Sequence, residues 1–266
     1  MSNIQRGYGL KTKKSLGQNF LINQGVLDKI VRVAELNAND TVLEIGPGTG
    51  NLTEKLAEKA GRIIAIEKDR RLIAPLKEKF TEYNNVEIIE ADILKLEIRN
   101  LKLEIGGYRV VGNIPYYITS HLLKTIFEKW LQPKLIVLTV QKEVAQRIVA
   151  KPPRMNLLAL SVQYYSKPEI IGHVSRGSFR PIPKVDSAII KLKMKNEKLK
   201  VGEADLFKIM RVGFSGKRKQ LAGNLARYLK TDKPKMAEIF RKLGIKEDVR
   251  AENLSLKDWI KISKHT

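Results

Sequence analysis

Four consecutive residues, Asn113-Ile114-Pro115-Tyr116, place a side-chain amide oxygen, a backbone carbonyl and an aromatic face side by side. Pro115 fixes its own φ and pushes Ile114 into an extended conformation, so these groups stand in a defined relation. Two acceptors and a ring face suit a planar heterocycle that carries an exocyclic amine. The tetrapeptide also reads as an ordinary Asn-X-Pro turn, so its meaning depends on its surroundings. The preceding run, Arg109-Val110-Val111-Gly112, is apolar, β-branched and closed by glycine, the pattern of a buried parallel strand running into a loop. Open α/β sheets bind ligands just beyond the carboxyl ends of their strands, where this tetrapeptide falls.

Two acidic residues occupy equivalent places. Glu67 ends the run Arg62–Ile66, 17 residues past Gly50, where a carboxylate accepts both ribose hydroxyls of an adenosine. Asp92 follows Val86–Glu90 and is placed to accept from an adenine amine. Upstream, Thr41–Ile45 runs into Gly46-Pro47-Gly48-Thr49-Gly50, a turn that lets a ligand approach the backbone. NAD and S-adenosylmethionine both carry adenosine. The glycine spacing departs from the Gly-X-Gly-X-X-Gly of dinucleotide sites, no hydride-transfer partner follows, and Asn113–Tyr116 has no role in a dehydrogenase. S-adenosylmethionine fits better.

An adenine N6 amine is a poor nucleophile, because its lone pair is delocalised into the ring. The Asn113 side-chain oxygen and the Ile114 carbonyl, gripping its hydrogens, would favour a tetrahedral nitrogen with a directed lone pair. Methyl transfer would then rest on positioning and electrostatics rather than on a strong base. Tyr116 would stack on the adenine. The base must leave its helix, or come from an unpaired loop, to get there.

The elements that position these residues alternate. Strand patterns at 41–45, 62–66, 86–90, 109–112 and 135–140 are separated by helical ones, predicting a parallel sheet with right-handed crossovers. Gly61 is the expected stop of the helix carrying Leu52 and Leu56. Residues 157–165 fit helix or strand, Phe179–Lys184 reads as extended and proline-punctuated, and Ser187–Leu192 as a strand. Beyond about Asn196 only helical patterns remain. The expected fold is α/β: a Rossmann-like class I S-adenosylmethionine-dependent methyltransferase domain over residues 1–196, including a basic N-terminal arm, then a small all-helical C-terminal domain over 197–266 that binds RNA.

Composition narrows the partners. Among 266 residues, 50 Lys+Arg against 28 Asp+Glu give a net charge of +22, which favours a polyanion, nucleic acid first. Lys191–Lys235 alone holds 14 basic and 4 acidic residues, and Met1–Lys14 adds Arg6, Lys11, Lys13 and Lys14 without an acid. With no cysteine and only His121, His173 and His265, a metal centre is not expected. No apolar run reaches the ~18 residues of a membrane span. The polar, basic start has no apolar signal core, so a cytoplasmic protein is expected.

The combination of Lys14–Leu21 (KSLGQNFL), Glu44–Gly50 (EIGPGTG), Asn113–Tyr117 (NIPYY) and Phe179–Ala188 (FRPIPKVDSA) resembles the small-subunit ribosomal RNA adenine N6,N6-dimethyltransferase family. So do Gly213–Leu225, with Lys217-Arg218-Lys219, and Arg250-Ala251-Glu252, and the resemblance runs nearly end to end. It implies a cofactor site at Asn19, Leu21, Gly46, Glu67, Asp92 and Asn113, and Phe179 as a second aromatic clamping the target adenine. The implied reaction is dimethylation of two adjacent adenines in a hairpin loop near the 3′ end of small-subunit RNA, on the assembling small subunit, by a monomer. Tyr117 and His121 stand where the family more often has Asn and Pro, and residues 150–155 form a short loop. A related antibiotic-resistance enzyme that methylates a large-subunit adenine shares the cofactor and acceptor motifs; Phe179–Ala188 and the Arg250 region favour the small-subunit enzyme. A non-catalytic RNA-binding assembly factor is the rival of another class, and intact Glu67, Asp92 and Asn113 argue against it. Core packing is the competing role for Phe179.

Overall fold

A computed structural model describes residues 12–13, 16–195, 202–216 and 219–266. Most of the expected basic arm, Lys14-Ser15 and Lys217-Arg218 therefore lie outside the described residues. The chain forms two compact units, one from the residues up to Ala145 with Pro168–Met194, the other from Gln146–Lys167 with Lys195–Thr266.

In the first unit a short strand β1 (Phe20–Leu21) precedes helix α1 (Gln24–Val33), whose N-terminus is capped by Asn23 Oδ1 accepting from Val26 N at 3.1 Å. Then β2 (Thr41–Ile45), α2 (Asn51–Ala57), β3 (Arg62–Glu67), α3 (Arg70–Lys79), β4 (Val86–Glu90), β5 (Tyr108–Asn113), α4 (Thr119–Lys129) and β6 (Leu135–Gln141) alternate. α5 (Lys142–Ile148) and α6 (Leu157–Tyr165), the latter belonging to the second unit, lead to β7 (Ser166–Val174), β8 (Phe179–Arg180) and β9 (Ser187–Met194). The sheet order is β4-β3-β2-β5-β6-β9-β7, with β9 antiparallel to β6 and β2 to β6 mutually parallel where they pair. β1 pairs only with β8, antiparallel, Leu21 opposite Phe179.

β2, β3, β5 and β6 are buried along almost their whole length, as expected of strands covered on both faces. Val42, Ile63 and Val111 pack with Leu27 and Ile30 of α1 and Leu52 and Leu56 of α2. The order reverses between β2 and β5, so the loops after Ile45 and Asn113 flank the crevice where such sheets bind ligands. Gly112 makes that juncture possible: a Cβ there would stand 2.7 Å from the Ile45 carbonyl oxygen.

Glu44 interrupts the apolar run of β2. It is 1% exposed, and among the described residues neither carboxyl oxygen has a hydrogen-bond partner. Thr53 is the polar group facing it, but its hydroxyl falls short of hydrogen-bond geometry. Burial pushes the Glu44 carboxyl up to about 8, so it is held neutral.

The second unit is helical: α6, α7 (Glu203–Phe214), α8 (Leu221–Leu229), α9 (Lys233–Lys242) and α10 (Leu256–Ser263) enclose Leu160, Leu206, Met210, Leu225, Phe240 and Trp259. Asn224 Nδ2 ties α8 to the end of α7 through the Gly213 carbonyl at 3.0 Å. Arg211, Lys219, Arg227, Lys230, Lys233 and Lys235 are exposed. Among the described residues no helix is long and apolar enough to cross a membrane, and no cluster of His, Cys, Asp or Glu could hold a metal ion.

Two expectations need correction, and one open reading is resolved. Residues 146–167 group with the C-terminal helices rather than with the domain expected to end at 196, because Leu160 and Tyr164 pack into the helical core. Residues 157–165 are a helix, decided by Asn156 Oδ1 capping Ala159 N at 3.0 Å, and the strand that follows was not expected. α2 ends at Ala57; Gly61 instead starts the approach to β3, where a Cβ would meet the Ala38 carbonyl oxygen at 2.1 Å.

Two stability predictions follow from buried positions. A Cβ on Gly213 would stand 2.3 Å from Trp259 Cη2 and 2.8 Å from Leu221 Cδ1. Gly213→Ala should therefore lower stability by about 1–3 kcal/mol although alanine is the better helix former; an unchanged denaturant midpoint would contradict that packing. Glu44, protonated in the folded protein to about pH 8 but ordinarily ionising near 4.5, favours folding most below 4.5. That advantage is lost as pH rises to 8, by at most about 1.4 kcal/mol per pH unit. Glu44→Gln should gain on the wild type steadily from pH 4.5 to 8, and parallel stability curves would refute a neutral Glu44.

Candidate active site

Nine of the expected site residues line one cleft of about 1100 Å³, measured to its open mouth; Phe179 does not. The floor is the carboxyl end of β5. Asn113, its last residue, lies opposite Thr139 of β6 and donates from Nδ2 to the Asn19 carbonyl at 2.9 Å. A carbonyl only accepts, so the amide nitrogen must face Asn19, and Asn113 Oδ1 is left as the acceptor. Ile114 is 2% exposed. Pro115 leads into a tight 3₁₀ turn over Tyr116–Ile118, in which the Pro115 carbonyl accepts from Ile118 N at 3.2 Å and the Tyr116 carbonyl from Thr119 Oγ1 at 3.0 Å. The Tyr116 hydroxyl shares a 2.6 Å hydrogen bond with Ser187 Oγ, which pins the half-buried ring. Burial pushes that phenol up, so it stays neutral.

The wall beside it is built from the ends of β2 and β3. Gly46 N donates to the Ile66 carbonyl at 3.0 Å. Gly48 sits at φ +60, and a Cβ on it would strike the Phe20 ring at 2.8 Å, so only glycine suits the position. Its N–H donates to Glu67 Oε2 at 3.1 Å, while Asp69 N donates to Glu67 Oε1 at 2.8 Å. One N–H on each oxygen fixes the carboxylate plane and leaves a further lone pair on each for a vicinal diol. Burial pushes the Glu67 carboxyl up against those two N–H groups. For Asp92, burial also opposes ionisation, but the Lys68 ammonium at 2.9 Å and Leu94 N at 3.1 Å outweigh it and hold the carboxyl below its ordinary range.

Residues 16–21 form the remaining wall. Asn19 Nδ2 donates to the Gly17 carbonyl at 3.1 Å, and the Leu21 carbonyl accepts from Asn51 Nδ2 at 3.2 Å. Asp69 was not singled out in the sequence, yet it holds this segment in place. It is 2% exposed and accepts from Gln18 Nε2 at 2.8 Å and from Arg71 Nε at 2.9 Å and Nη2 at 2.6 Å. Arg71 above all holds its carboxyl down at about 2. The acid N-caps α3 next to Glu67, a local signal, but the partner in residue 18 lies 51 positions away and leaves none.

Phe179 requires correction. It is 0% exposed and packs with Leu21, Leu27 and Val174 in the core, because β8 pairs it directly opposite Leu21. No ring face is available to a base; the residue braces the strand that carries Leu21.

The donor set fits S-adenosylmethionine: a buried, plane-fixed carboxylate for the ribose, an ionised Asp92 for an amine, and a glycine turn whose backbone is open to the cleft.

The family model for ribosomal RNA adenine dimethylase matches residues 9–266. The chain is 45% identical over 261 residues to the ribosomal RNA small subunit methyltransferase A of Dehalococcoides mccartyi strain CBDB1, covering 97% of this chain and 90% of that protein. It is 41% identical to the protein of that name from Halothermothrix orenii, covering 98% and 92%. Among solved structures, a dimethyladenosine transferase from Plasmodium falciparum aligns with a TM-score of 0.79 at 31% identity, over 91% of this chain and 95% of that one. The 23S rRNA methyltransferase ErmE aligns at 0.77 and 28% identity, over 92% and 98%. With the sheet order and the cleft at β2 and β5, these matches bear out the expected fold class, that of class I S-adenosylmethionine-dependent methyltransferases. The chain belongs to the ribosomal RNA adenine dimethylase family.

Proposed function

We propose that this protein dimethylates the N6 amines of two adjacent adenines in a 3′-terminal hairpin loop of small-subunit ribosomal RNA, acting as a cytoplasmic monomer on the assembling small subunit. The observation that carries the reading is the orientation of Asn113, whose nitrogen is committed to Asn19 and whose oxygen is the group left for an amine. Higher identity to the small-subunit enzymes than to ErmE supports the choice of subunit.

S-adenosylmethionine supplies a methyl group on a positively charged sulfur. Glu67 would hold the ribose of that cofactor and Asp92 its adenine amine, with Gly46, Asn19 and Leu21 closing around it. On the acceptor side, Asn113 Oδ1 and the Ile114 carbonyl each accept a hydrogen bond from one N6 hydrogen in the first transfer, and in the second the single hydrogen left on N6 donates to one of them. Both oxygens stabilise the positive charge that grows on the nitrogen as the N–C bond forms and the S–C bond breaks. Tyr116, pinned by Ser187, stacks on the ring and sets its depth. Asn113 is no base, so the surplus proton leaves to water once the nitrogen has become strongly acidic. The exposed cations of the helical unit hold phosphates, which positions the RNA without reading its sequence.

A binding titration with S-adenosylmethionine, then mass analysis of small-subunit particles and of large-subunit RNA after incubation, tests the reading. Two additional methyl groups on each of two neighbouring small-subunit adenines support it, and label confined to large-subunit RNA would replace it with the antibiotic-resistance reading. Asn113→Ala should abolish transfer while RNA affinity stays within about twofold; retained turnover would exclude Asn113 as the amine acceptor. RNA affinity should fall with salt at a log–log slope of about −0.7 to −0.9 per phosphate contact. A salt-insensitive complex would mean that the +22 charge is not the binding surface.

A further inference from the structure

Tyr116 and Tyr117 open the same turn and line the same cleft, yet only one of them is used by the chemistry above. Tyr117 is 62% exposed, an unusual amount of aromatic surface to leave in water beside a reaction site. Its ring rests on Gly17: a Cβ there would lie 3.3 Å from Tyr117 Cε1 and 3.4 Å from Cδ1, and Gly17 adopts φ +60. The bare backbone of the 16–21 segment thus supports one edge of the ring and leaves most of it free. Lys68 lines the cleft too, its side chain half exposed and its ammonium 2.9 Å from the Asp92 carboxylate. A base platform with a cation near it matches a single-stranded nucleotide, base on the ring and phosphate near the charge.

We infer that Tyr117 is the stacking platform for the nucleotide next to the adenine being methylated. The inference rests on the proposed RNA adenine substrate and adds a residue to it. With Phe179 in the core and Phe20 packed against Leu72, Leu76 and Phe80, Tyr117 is the exposed aromatic among the described residues of the cleft, and so the one placed to hold a second base. A target adenine seated against Asn113 and Tyr116 drags its neighbour to the cleft mouth, and stacking there compensates the unstacking of the pair from the hairpin loop. Because the two targets are adjacent, each would serve as the neighbour while the other is in the pocket. Stacking on a tyrosine tolerates any base, so the platform favours the presence of a base and not its identity.

The test uses the full-length protein and reconstituted small-subunit particles whose RNA carries either both adenines or one adenine beside an abasic residue. Tyr117→Ala should raise KM for intact particles about 5- to 150-fold, the factor corresponding to ~1–3 kcal/mol for one stacked base. Tyr117→Phe should restore it, and S-adenosylmethionine affinity should be unchanged in both variants. On abasic particles, wild type and Tyr117→Ala should be indistinguishable. An unchanged KM for Tyr117→Ala on intact particles, or a loss that persists in full on abasic ones, would overturn the platform. A fall in cofactor affinity would overturn it as well, assigning Tyr117 to support of the Gly17 segment. Wild type that leaves intact particles unmethylated would remove the function reading itself, and the platform with it.

Discussion

The hydrogen bond from Asn113 Nδ2 to the Asn19 carbonyl joins residues 94 positions apart and decides which end of the Asn113 amide faces the cleft. An asparagine free to rotate could present donor or acceptor, and a donor would repel the hydrogens of an amine. The polarity that Asn113 presents to the cleft therefore depends on residues 16–21 being in place. That segment is held by β1 pairing with β8, by Asn51 on the Leu21 carbonyl, and by Gln18 on Asp69. Asp69 in turn donates its own N–H to Glu67. Asn113 and the Glu67 carboxylate are thus linked through one hydrogen-bonded frame.

The sheet supplies the rigidity behind this frame. Reversal of strand order at β2 and β5 leaves a crevice that no crossover helix covers, and Gly112 lets the two strand ends approach closely. At the opposite end of β5, buried Arg109 pairs with Asp40 and donates to the Glu35 carbonyl at 2.9 Å, anchoring the strand away from the chemistry. Charge is distributed by role. Acids lie inside the cleft with fixed partners, whereas the cations of the helical unit stand exposed.

Much of this was legible in the sequence, because a parallel sheet covered on both faces leaves short apolar runs bounded by glycine, and its ligand residues sit where the runs end. Asn113, Glu67 and Asp92, singled out by that rule, come together in one cleft. β7 escaped it because Pro168 and Gly172 break the run and only its end residues, Ser166 and Val174, are buried. Helix 157–165 was ambiguous because it is apolar almost all round, and its cap, Asn156, was the signal that went unread. Phe179 shows the opposite failure. A motif suggested a ligand contact, but whether an aromatic faces core or cleft depends on the strand it pairs with, and β1 is only two residues long. Asp69 and the neutral Glu44 depend on distant neighbours and on burial, which no local pattern records.

The most direct test of the central claim is a crystal structure of the full-length protein with S-adenosylhomocysteine and adenosine bound together. Adenosine N6 should lie within about 2.7–3.2 Å of both Asn113 Oδ1 and the Ile114 carbonyl, with Asn113 Nδ2 still on Asn19. An adenosine bound with N6 turned away from Asn113, or an Asn113 amide released from Asn19 to present its nitrogen to the ligand, would contradict it.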